Sequence, residues 1–127
     1  MKVIRRSSQD KRWQDIKKEV ATRDRGCRLC KVLSTQEFLQ LRKNAGAQLG
    51  ILDPAHYKAV SHNPELCYDP NNICMLNHYS HTMLDDCRNP ITGSYINIEE
   101  VNSWWIRILK GDKTQYNYLL ERQIIDE

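Results

Sequence analysis

No stretch of this chain approaches the ~18 consecutive apolar residues of a membrane-crossing helix, so no membrane span or membrane partner is expected. The opening MKVIRRSSQDKRWQ is basic but lacks the apolar core of a secretory signal, and none is expected there. Internal repeats and low-complexity tracts are also missing, which excludes a repeat architecture. Cysteine is present, but its number, five, is odd. Two of the five form Cys27-Arg28-Leu29-Cys30, which fits a reducing compartment and a metal site better than a disulfide framework.

At 127 residues the chain is expected to be one domain with a modest core. The net charge of +3 hides an asymmetry. Residues 1–31 hold 11 Lys and Arg against 4 Asp and Glu, whereas the remaining 96 residues hold 8 against 12. A basic segment beside an acidic body suits a polyanion partner, with Lys11, Arg12, Lys17 and Lys18 as the candidate phosphate-binding residues. The alternative is a solvated helix laced with ion pairs.

Residues 1–9 read as a flexible arm. Residues 10–24 read as an amphipathic helix with Trp13, Ile16 and Val20 on one face, ended by Gly26. A second helix is expected over 34–44, opened by a Ser34–Glu37 capping box. Strands are expected within 50–58 and 73–76, joined by a loop that carries Asn63-Pro64 and Asp69-Pro70. A short helix from about Ser80 to Asp86 follows, then a helix over 98–110 capped by Asn97 with Glu100, and a last one capped by Asp112 with Gln115. Trp104 and Trp105 read as core rather than as base-stacking residues.

The most informative feature is a set of four residues in order. His56 precedes Asn72 with fifteen residues between, His81 stands nine after Asn72, and Asp85 stands four after His81. Residues four apart share a helix face, so the His81 imidazole and the Asp85 carboxylate can grip one ion. A neutral imidazole at His56 can accept a proton from water at working pH. A base, an amide to orient it and two metal ligands are what phosphodiester hydrolysis requires.

These residues resemble the HNH (ββα-metal) endonucleases of phage and bacteria, in the variant with Ala55-His56, then an Asn, a His and an Asp at the spacings above. The likeness spans roughly residues 13 to 86 and includes the leading helix, Arg23-Asp24 and the Cys27–Cys30 pair. It implies an α+β fold: a small ββα-metal (His-Me finger) core over 50–87, flanked by the basic helix and knuckle of 1–31 and by C-terminal helices over 97–127. It implies His56 as general base and Asn72 as the brace of the base's loop. His81 and Asp85 become ligands of one divalent ion (Mg, Mn, Ni or Zn), with Asp53 as an added carboxylate.

Cys27 and Cys30 have the spacing of half a structural zinc site. Relatives place a second CxxC where this chain has Asn77 and Ser80. Cys74, His78, Cys67 and Cys87 are then the candidates for the missing ligands; alternatively the thiols only pack. The implied partner is DNA, with RNA open, in the cytoplasm of a bacterial or phage-infected cell, as a monomer, a homodimer or part of a larger nuclease complex. The competing reading is a non-catalytic, zinc-binding nucleic-acid module on the same scaffold.

Overall fold

The computed structural model describes residues 10–126, so the expected arm over 1–9 lies outside the described residues. Among the described residues the fold is α+β: five α-helices and one two-stranded antiparallel sheet. None of these helices is long and apolar enough to cross a membrane.

Helix α1 (Lys11–Asp24) starts where the Asp10 carboxylate accepts from the amides of Arg12 and Trp13. It stops at Arg25, which is left-handed at φ 51°, followed by Gly26 at φ 123°. That turn suits glycine, and it folds Cys27 back toward the sheet. Helix α2 (Thr35–Ala45) opens on the Ser34–Glu37 capping box, with both reciprocal bonds made. Arg107 closes on the same Glu37 carboxylate at 2.6 Å and holds its carboxyl down to about 2.

Strand β1 (Leu52–His56) pairs with β2 (Ile73–Asn77), Leu52 opposite Asn77 and His56 opposite Ile73. Every residue of β2 is buried, because the strand lies between two apolar clusters. Alternation sends Ile73 and Met75 toward Trp13 and Val20 of α1. It sends Cys74 and Leu76 into the main core, with Leu41, Ile108, Leu109 and Leu119. Helix α3 (His78–Asp85) follows β2 directly and starts two residues earlier than the sequence suggests. The cause is Asn77, whose side-chain oxygen accepts from the Ser80 amide and caps the helix. Helices α4 (Ile98–Leu109) and α5 (Lys113–Glu121) are capped by Asn97 and Asp112 as expected. Trp105 is core, whereas Trp104 is half-buried beside Arg107. Ile124 lies beyond α5 and packs on the core from there.

One buried polar network ties these parts together. Asp24, only 2% exposed, accepts from Arg23 Nε at 2.6 Å, from Arg28 Nη1 at 3.0 Å and from the Met75 amide at 2.8 Å. Arg23 also donates to the carbonyls of Pro70 and Ile73. Arg28 donates to Gln115 and to the Ile108 carbonyl. The Arg23-Asp24 pair thus fixes the chain on either side of Asn72.

Candidate active site

The strand pairing puts His56 at the end of β1, beside the start of β2. Asn72 is 1% exposed, and its amide is fully used on the loop that follows His56. Its Oδ1 accepts from the Lys58 amide at 2.8 Å, and its Nδ2 donates to the carbonyls of Lys58 at 3.1 Å and Leu66 at 3.3 Å. The Asn72 carbonyl accepts from the Tyr57 amide as well. Asn71, one residue away, offers its carbonyl to Gln115 instead, so only one asparagine of the pair holds the loop with its side chain.

His56 Nε2 lies 3.0 Å from the Cys67 carbonyl. A carbonyl only accepts, so Nε2 carries the proton in this contact and Nδ1 is the ring's lone-pair atom. Trp13 stacks on the imidazole at 5.6 Å between centroids, 15° from parallel. Sequence reasoning took Trp13 as a core residue only; its stacking on a residue 43 positions away has no local signal.

The acidic cluster stands at the start of α3. Asp53 Oδ2 lies 2.6 Å from His78 Nδ1 and 3.0 Å from His81 Nδ1. His81 Nε2 lies 3.3 Å from Asp85 Oδ2. Burial pushes the Asp53 carboxyl up, but hydrogen bonds from His81 and His78 outweigh it and leave the group below its ordinary value. Asp53, His81 and Asp85 are therefore brought together, with His78 as a fourth member that the sequence assigned elsewhere. By donor chemistry, one imidazole and two carboxylates fit a divalent cation. In their present spacing these groups serve one another, and no three His, Cys, Asp or Glu side chains among the described residues form a ready metal cage. His56, His81 and Asp85 line one groove of about 640 Å³.

The expected structural zinc set is not assembled. Cys74 is buried in the core against Gln115, and burial pushes its thiol up to about 11. His78 is bound to Asp53 rather than to the Cys27–Cys30 pair. The polar partner of the two thiols is Asn77: its backbone amide donates to Cys27 Sγ at 3.2 Å, and its side-chain nitrogen reaches Cys27 Sγ at 3.3 Å and Cys30 Sγ at 3.8 Å. A hydrogen bond from the Cys30 thiol draws Cys27 down to about 6, while the same bond pushes Cys30 up. Near Asn77, the Ser80 hydroxyl is buried without a hydrogen-bond partner.

Cys27→Ser is expected to lower the melting temperature, because Asn77 caps α3 while resting on that sulfur. It should also abolish any zinc content. An unchanged melt together with unchanged zinc would dismiss both roles.

The basic segment is partly spent inside the protein. Arg23 and Arg28 serve the Asp24 network, and Lys31 donates to the Asp24 carbonyl. Lys11 pairs with Asp15 at 2.7 Å, and Arg12 lies over the Tyr68 ring. Lys18 is exposed and Lys17 half-exposed on α1.

Comparison with protein-family models, with curated proteins and with solved structures finds no match.

Proposed function

We propose that the protein is a metal-dependent DNA endonuclease built on a ββα-metal core, acting on phosphodiester bonds in the cytoplasm of a bacterial or phage-infected cell. The observation that carries this reading is the treatment of His56. Its tautomer is set by the Cys67 carbonyl, its face is covered by Trp13, and its loop is held by Asn72. A histidine kept only for packing has no need of all three. The groove that His56 lines also contains His81 and Asp85.

His56 Nδ1 accepts the proton of the attacking water, and the new phosphorus–oxygen bond forms as the leaving oxygen departs. Asn72 keeps Lys58 and Leu66 in place, so the base does not drift. His81 and Asp85, with Asp53, would hold the divalent ion. When bound, such an ion supplies Lewis acidity for the charge that develops on the phosphate and the leaving oxygen. Plasmid nicking, assayed with and without Mg, Mn, Ni or Zn, tests the reading: no nicking under any of these ions would overturn it.

Binding is expected to run through phosphates along α1, whose Trp13 touches the base. Changing Lys17 and Lys18 together to Glu should weaken binding to all DNA sequences alike and flatten its salt dependence. Unchanged affinity and salt slope in the folded double variant would move the DNA path elsewhere. The second reading, a non-catalytic nucleic-acid module, predicts binding without nicking.

A further inference from the structure

Only one lysine or arginine lines the groove that holds His56, His81 and Asp85, and it is Lys58. A groove that admits a polyanion past an exposed Asp85 needs a cation close to the bond being cut. Lys58 stands two residues after His56, and Asn72 grips both its amide and its carbonyl. Its backbone is therefore among the best-fixed points of the loop, while its side chain stays mobile enough to follow a ligand. The side chain passes over the Tyr57 ring, with the ammonium 5.2 Å from the ring centroid.

The ammonium is occupied. It pairs with the carboxylate of Asp126, a residue 68 positions away in sequence. The Asp126 backbone is anchored apart from that pair: its amide donates to the Tyr57 hydroxyl at 3.2 Å, and its carbonyl accepts from Asn102 Nδ2 at 2.6 Å. The Tyr57 hydroxyl in turn donates to Asn102 Oδ1 at 2.7 Å. Two backbone bonds thus hold an acidic side chain over the groove's lysine. The Asp126 carboxylate is 69% exposed, and an ion pair this open exchanges readily for another anion.

We propose that Lys58 is the phosphate-binding residue of this groove and that the Asp126 carboxylate holds the place of a nucleic-acid backbone phosphate. The inference rests on the nuclease reading for the identity of the ligand. Asp126 then acts as a built-in competitor: an incoming strand displaces its carboxylate from Lys58, while the Tyr57 and Asn102 bonds keep the segment nearby.

The test is fluorescence anisotropy of a short DNA duplex in EDTA, over a series of NaCl concentrations. Omitting divalent ions removes cleavage from the measurement. Lys58→Met should weaken binding by about 3- to 10-fold and lower the salt slope by roughly 0.9, the value of one phosphate contact. Lys58→Arg should restore the slope. Asp126→Asn keeps the backbone anchors and should tighten binding about 2- to 5-fold, since a competitor of this exposure is weak. That gain should vanish in the Lys58→Met background. The proposal is overturned if Lys58→Met leaves affinity and slope unchanged with its melt intact, or if Asp126→Asn tightens binding equally without Lys58. It also fails if the wild-type protein binds no DNA. Wild-type binding that follows this pattern without nicking under any divalent ion would instead remove the nuclease reading and leave the phosphate site standing.

Discussion

His56→Ala is expected to lower plasmid nicking by roughly 10²–10⁴-fold while leaving DNA affinity near wild type. The magnitude is that of removing a positioned general base, and the reason for expecting little else lies in the local bonding. The loop is held by Asn72 through Lys58 and Leu66, contacts that do not pass through the imidazole. What the fold loses is one hydrogen bond to the Cys67 carbonyl and the stack with Trp13. Circular dichroism should report a small fall in melting temperature, and metal content should be unchanged. Near-wild-type nicking by the metal-loaded variant would remove His56 from the role.

The largest effect on stability is expected from Asp24→Ala, about 3–5 kcal/mol. Arg28 is 4% exposed, and Asp24 is its only carboxylate partner. Removing that carboxylate leaves a buried guanidinium without a counter-charge and strips the Met75 amide of its side-chain acceptor. A loss of this size in a domain of this length lowers the melting temperature by roughly 10 °C or more. Nicking should fall further than stability alone explains, because Arg23 loses the partner that aims it at the Pro70 and Ile73 carbonyls around Asn72. A variant that melts within a few degrees of wild type would show that the network contributes little.

The elements that the sequence announced are those whose signals are local. Ser34 with Glu37, Asn97 with Glu100 and Asp112 with Gln115 are contacts three residues apart, and each forms as a cap. The helical spacing of Trp13, Ile16 and Val20 marked α1 for the same reason. The juxtaposition of His81 with Asp85 also followed from helical spacing. His78 was misplaced because its partner, Asp53, lies on the neighbouring strand, and only the register of β1 on β2 brings the two together. The zinc set failed at the same point: Cys74 faces the main core by strand alternation, and Asn77 holds the thiols in its stead. Counting charges overstated the basic face, since no composition shows that Arg23 and Arg28 point inward. Lys58 carried no signal at all, because Asp126 reaches it from the far end of the described chain.

The burial of β2 on both sides sets unequal tolerances to insertion along this chain. One residue added within Ile73–Asn77 would exchange the strand's two faces, sending Ile73 and Met75 to the side now taken by Cys74 and Leu76. It would also displace Asn77 from the thiols that it touches. A residue added at exposed Ser61 or His62 does neither, because Asn72 grips the loop at Lys58 and Leu66, on either side of that tip. Length variation in relatives of this chain should therefore collect between those two grips, where a longer loop changes what the groove meets without moving the base.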